Sequence, residues 1–95
     1  MELKFRPRFK RDLLKLKGKK ELNEQIHSLI KLIKSAQSIS ELPGHKFLDK
    51  YKTRLRIKIK LNVKENFRMG LIVKGNSIWA ERILPRPDFY KFYRR

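Results

Sequence analysis

The spacing of apolar residues changes halfway along the chain, and the change predicts the fold. Leu22, Ile26, Leu29, Ile30, Ile33 and Ala36 fall at i, i+4, i+7, i+8, i+11 and i+14, which is one stripe of a helix. Glu24, His27, Lys31 and Lys34 occupy the opposite side. Upstream, Phe9, Leu13, Leu14 and Leu16 follow helical spacing more loosely, and Gly18 separates the two helices. "ELKFR" opens as a short strand with Leu3 and Phe5 on one side; Pro7 ends it and suits a first helical turn. The long helix fades in "SAQSIS". "ELPGHKF" is turn chemistry, punctuated by Pro43 and Gly44.

From Thr53 the period is two. "TRLRIKIKL" alternates Leu55, Ile57, Ile59 and Leu61 with Arg54, Arg56, Lys58 and Lys60. "NVKEN" turns. Phe67, Met69, Leu71 and Val73 then alternate with Arg68, Gly70 and Ile72, and Gly75-Asn76 signals a tight hairpin into a third strand over Ser77–Leu84. Pro85 and Pro87 stop the sheet, and a short helical turn starts near Asp88. The expected architecture is α+β, in the order β-α-α-β-β-β with an antiparallel sheet. Two helices pack on one face and a short C-terminal helical turn closes the chain, all in a single domain over residues 1–95. The Leu22–Ala36 stripe covers the greasy face of the meander, so the cationic face looks outward.

Charge changes this picture from a fold into a function. The chain carries 26 Lys and Arg against 9 Asp and Glu, a net +17. Residues 1–20 hold nine basic and two acidic groups, residues 21–50 four of each, and residues 51–95 thirteen against three. Two basic blocks around a neutral middle suit a polyanion, nucleic acid ahead of an anionic membrane or an acidic protein. On one side of Thr53–Leu61, neighbouring cations sit roughly 7 Å apart and repel by about 0.6 kcal/mol per pair in water. No acid balances them, so Arg54, Arg56, Lys58 and Lys60 read as a row that tracks phosphates rather than a merely solvated face. Arg68 faces the same way, and Gly70 beside it leaves room for close approach. Arg82, Arg86, Tyr90 and Tyr93 cluster with Phe89 and Phe92 in a tail that combines phosphate-gripping and base-stacking side chains.

Other chemistries find little support. There is no cysteine, no metal-ligand spacing, no glycine-rich phosphate loop and no carboxylate pair. No cofactor is expected. No apolar run of about 18 residues is present, so nothing is expected to cross a membrane, and the charged N-terminus does not resemble a signal peptide; the cytoplasm is the expected compartment. His27 on the polar side of the long helix and His45 in the Pro-Gly loop lie apart from the basic aromatic cluster. Trp79 reads as a packing residue.

The run "LPGHK…YKTRLRIKI…NFRMGLIV.KGNSIWAERILPRPDFYKF" resembles the RelE/ParE toxins of type II toxin–antitoxin modules. The shared features are a basic strand (Leu55–Lys60), an aromatic-Arg pair opening the next strand (Phe67-Arg68), and a closing motif at Arg86, Asp88 and Tyr90. The resemblance implies a toxin that, in its RelE branch, cleaves mRNA on the ribosome without metal, the 2′-hydroxyl attacking its own 3′ phosphate. It implies phosphate binding by Arg68, transition-state stabilisation by Arg86, and nucleotide stacking or proton transfer by Tyr90. The strand lysines map to the row Arg56, Lys58 and Lys60, with Lys58 preferred. Crowded cations favour a neutral amine, which makes a lysine of this row, and not an arginine, the expected base. Arg54, Arg56, Arg82 and Tyr93 are the expected RNA contacts. A His often precedes the closing Arg in the wider family; here Pro85 stands there. The implied partners are an antitoxin with acidic or amphipathic segments and ribosome-bound mRNA. Two other readings remain: a ParE-like protein that binds DNA gyrase and does no chemistry, and a plain RNA-binding module.

Overall fold

The computed structural model describes residues 1–61 and 66–93. Among these, five strands form one sheet: β1 (Glu2–Phe5), β2 (His45–Phe47), β3 (Arg54–Lys60), β4 (Asn66–Lys74) and β5 (Ser77–Pro85), in the order β1-β5-β4-β3-β2. β3, β4 and β5 make the expected antiparallel meander, and the β4–β5 turn places Gly75 at φ +58, a left-handed conformation that suits glycine. Of the turn expected over "NVKEN", residues 62–65 lie outside the described residues and Asn66 already opens β4.

The sheet is not purely antiparallel. β1 runs parallel to β5, with Leu3 opposite Ile78 and Phe5 opposite Ala80. A strand that precedes the helical layer joins a finished meander at its edge, and the β5 edge leaves the following helices on the apolar face. The second departure is β2, inside the segment expected to be a turn. His45 pairs with Ile57 and Phe47 with Leu55. Asp49 closes this hairpin. Its carboxylate accepts the amides of Thr53 (3.0 Å) and Arg54 (3.1 Å) and the Thr53 hydroxyl, and these bonds hold the acid below its ordinary range.

Helices α1 (Pro7–Lys15) and α2 (Lys20–Ser35) cover the apolar face. Leu22, Ile26, Leu29 and Ile33 of α2 are buried against Leu55, Ile57 and Ile59 of β3, Phe67, Met69 and Leu71 of β4, and Ile78, Ala80 and Ile83 of β5. Each of these side chains larger than alanine stabilises the fold by about 1.5–3 kcal/mol. In α1 the inward residues are Phe9 and, just beyond it, Leu16, with Leu13 partly buried between them; Leu14 lies off this stripe and is 71% exposed.

β5 carries a bulge that sets up everything on the other face. Gly70 pairs with Arg82 but Leu71 pairs with Ala80, so Glu81 is an extra residue. Ala80 and Ile83 can then both face the core. β1 stops opposite Ala80, so β5 from Glu81 onward has no strand neighbour on that side among the described residues. α1 fills the gap. Its buried Asp12 accepts the Ile83 amide (3.0 Å), and Arg82 donates to the same carboxylate through Nε (2.8 Å) and Nη2 (3.0 Å). An orphaned strand amide and a guanidinium thus share one acid.

The closing segment is more than a turn. Arg86–Tyr93 forms a helix, α3, that folds back over the second face of β4 and β5. Phe89 is fully buried beneath it, with the Tyr93 ring 4.4 Å away centroid to centroid. Tyr93 lies directly on Gly70, where any Cβ would collide with its phenol. Close approach at Gly70 therefore comes from the chain's own helix.

Candidate functional site

The second face of the sheet is laid out in rows by strand pairing. Arg54 lies opposite Ile72, Arg56 opposite Gly70, Lys58 opposite Arg68, and Lys60 opposite Asn66. Alternation puts all these cations on the side away from α1 and α2. α3 then decides which of them meet water. Arg54, Lys58 and Lys60 are exposed, whereas Arg56 and Arg68 are only 8% and 6% exposed. The cationic face was expected to look outward as a whole; its two central arginines are instead sunk beside the helix.

The helix brings Tyr90 onto these arginines. Burial pushes its phenol up, but the neighbouring guanidiniums of Arg68 and Arg56 outweigh it, and Tyr90 lies below its ordinary value. Arg86, at the start of α3, places its guanidinium 5.5 Å from the Tyr90 ring centre, a cation–π contact. Arg56, Arg68, Arg86 and Tyr90 therefore converge, with Lys58 across the ladder from Arg68 and Lys60 further along the same edge.

The electrostatics of this cluster are one-sided. Arg56 Nη1 donates to the Gly44 carbonyl (2.9 Å) and Arg68 Nη1 to the Phe67 carbonyl (3.1 Å). These carbonyls fix the side chains without neutralising them. The Nε atoms of both are buried and have no hydrogen-bond partner among the described residues, and neither arginine forms an ion pair there. A buried charge left unpaired costs several kcal/mol. Two such groups side by side make a preformed receptor for an anion.

Arg82 and Tyr93, expected from the sequence to touch RNA, are used differently. Arg82 is clamped on Asp12, whose hydrogen bonds raise the guanidinium further above its ordinary value, and its other flank lies 4.5 Å from the Phe92 ring centre. Tyr93 donates to Glu81 (2.7 Å); burial first and this bond second push its phenol well up. Both hold α3 in place behind the site. His45 Nδ1 is 2.6 Å from the Leu42 carbonyl, and His27 is exposed on the outer side of α2. Neither joins the cluster. Among the described residues no group of three His, Cys, Asp or Glu could hold a metal ion, and no helix is long and apolar enough to cross a membrane.

Arg56, expected as an RNA contact and one of the strand row, stands inside the cluster. The signal was Gly44: its backbone carbonyl, just ahead of the adjacent strand β2, anchors it, which the "LPG" turn alone does not disclose.

The mixed five-stranded sheet, the helix pair on one face and the helix folded over the other define a RelE-like α+β fold. A chain of the RelB–RelE antitoxin–toxin complex from Methanococcus jannaschii matches it with a TM-score of 0.71 and 23% identity, over 95% of this chain and 98% of that one. YafQ from E. coli strain BL21(DE3) matches with a TM-score of 0.66 and 10% identity, over 94% and 97%. The conserved hypothetical protein HP0894 from Helicobacter pylori matches with a TM-score of 0.56 and 15% identity, over 92% and 96%. At these identities the likeness is one of fold. No protein-family model matches the chain, and no curated protein does.

Proposed function

We propose that the protein is the toxin of a type II toxin–antitoxin pair, acting in the cytoplasm as an endoribonuclease on ribosome-bound mRNA. The observation that carries this reading is the buried Arg56–Arg68 pair, which has no acid among the described residues, with Tyr90 beside it and Arg86 against the Tyr90 ring. The likeness in fold to a chain of an antitoxin–toxin complex supports a partner antitoxin.

Strand cleavage needs a base for the 2′-hydroxyl and cations around the crowded phosphorane. Tyr90 suits the base better than the strand lysine expected from the sequence, because two guanidiniums favour its phenolate, while Lys58 and Lys60 are solvent-exposed. In this scheme the Tyr90 phenolate takes the 2′-hydroxyl proton and the 2′-oxygen bonds to phosphorus. The bond from phosphorus to the 5′-oxygen breaks, and the Lys58 ammonium protonates the departing oxygen. The products are a 2′,3′-cyclic phosphate and a 5′-hydroxyl. Arg56 and Arg68 hold the non-bridging oxygens, and Arg86 adds charge as the phosphorane forms. Lys60 and Arg54 guide the flanking strand.

The test is a translation extract supplied with the protein, with mRNA ends mapped and gyrase supercoiling assayed in parallel. Cuts at the ribosomal A site carrying cyclic phosphate ends support the reading. Blocked supercoiling with intact mRNA overturns it in favour of a gyrase-directed toxin.

A further inference from the structure

The same sheet face carries a second cationic cluster, beyond α3. Trp79, expected to be a packing residue, lies half-buried on this outer face at the β1–β5 end. Three cations gather on its indole: Arg6 Cζ at 4.9 Å, Lys4 Nζ at 5.0 Å and Lys74 Nζ at 5.8 Å from the ring centre. Glu2 is the acid at hand. It accepts the Ser77 hydroxyl and stands 3.9 Å from Lys4 Nζ, leaving the cluster positive by two.

Arg6 is the most oddly placed of the three. Its amide donates to the Ala80 carbonyl (2.9 Å), which fixes its backbone as an extension of β1. Its Nε is buried without a hydrogen-bond partner among the described residues. It is also the N-cap of α1, whose first turn holds no acid. A helix N-terminus favours anions, so a guanidinium there is opposed by the helix dipole. All these costs disappear when an anion sits among the three cations.

Strand pairing links this cluster to the site already described. Lys4, Trp79, Ile72 and Arg54 form one cross-strand row, opposite one another through β1, β5, β4 and β3. At about 4.8 Å per strand the row spans about 14 Å. It lies past the Tyr93–Gly70 contact, on the side of α3 away from Arg68.

We infer that Lys4, Arg6 and Lys74, gathered around Trp79, bind a phosphate of the RNA strand outside the cleavage site. The inference rests on the RNA reading above and adds a second anchor to it. RNA fits better than a membrane or an acidic protein because the row continues into Arg54, on the same face as the cleavage cluster.

Trp79 is the chain's single tryptophan, so its fluorescence reports this cluster directly. The full chain is titrated with a short 2′-O-methyl RNA, which cannot be cleaved, over a range of salt. Wild type, Arg86→Gln and a Lys4→Gln/Lys74→Gln double variant are compared, with urea midpoints as the check on folding. Trp79 emission is expected to respond in the wild type and in Arg86→Gln. The double variant is expected to bind about tenfold more weakly at low salt, with the slope of log K against log salt shallower by about 0.7, the change for one phosphate of a single strand. Unchanged affinity and slope in the double variant overturn this second site while leaving the RNA reading intact. No binding by the wild type also overturns this second site, and the RNA reading is then decided by the mapped mRNA ends. A response to phosphatidylglycerol vesicles or to an acidic peptide, with none to the RNA, overturns RNA as the occupant.

Discussion

Arg82 and Arg68 both leave water for the same sheet, but among the described residues only Arg82 finds an acid. Arg82 is met by Asp12 through two hydrogen bonds, and the carboxylate's remaining capacity caps the Ile83 amide. Nothing there is left to react. Arg68 is held by a backbone carbonyl and, like Arg56 beside Tyr90, has a buried Nε with no partner and no acid among the described residues. The difference separates two uses of buried charge: at β5 it closes a strand edge, and at β3–β4 it waits for an anion.

The comparison breaks most visibly in cleavage. Arg68→Gln should lower mRNA cleavage about 10²- to 10³-fold, the usual effect of losing one donor to a developing oxyanion, with the fold retained; end mapping against time measures it. Asp12→Asn should do the reverse. It should destabilise the protein by about 3 kcal/mol in urea unfolding, because Arg82 loses its counter-charge, and leave cleavage per folded molecule unchanged. Gly70→Ala touches both regions, since its methyl would displace Tyr93 and with it α3. It should lower stability by about 1–3 kcal/mol and reduce cleavage as Tyr90 moves off the arginines.

The subtlest effect is on pH dependence. Arg68 and Arg56 lower the Tyr90 phenol, so the active phenolate is reached at lower pH than for free tyrosine. Cleavage should rise with pH to a break below about 10, Tyr90→Phe should abolish the rise, and Arg68→Gln should move the break upward.

The parts of the fold that were legible are those with a local period. The Leu22–Ala36 stripe, the three meander strands and the Gly75-Asn76 turn each announce themselves within a dozen residues. β2 does not, because three residues show no period and its pairing with Ile57 depends on a hairpin clamped by Asp49. The parallel seat of β1 is a contact across the whole chain. The site divides the same way. Alternation says which face Arg56 and Arg68 occupy but not what covers them, and the covering helix had read as a short turn. Nothing in the sequence marks Asp12 among the acids; its role follows from α1 carrying it to the bulge in β5. Arg82 and Tyr93 looked like RNA contacts because side-chain chemistry is visible in a sequence and the partner that occupies it is not.

The central claim is that the Arg56–Arg68 pair is kept at the expense of stability. Urea unfolding of Arg68→Met, beside Arg82→Met, tests it most directly. Arg68→Met should fold with stability unchanged or raised by about 1 kcal/mol, because an unpaired buried charge is replaced by an apolar chain, while Arg82→Met loses about 3 kcal/mol by stranding Asp12. An Arg68→Met protein destabilised as much as Arg82→Met would contradict the account.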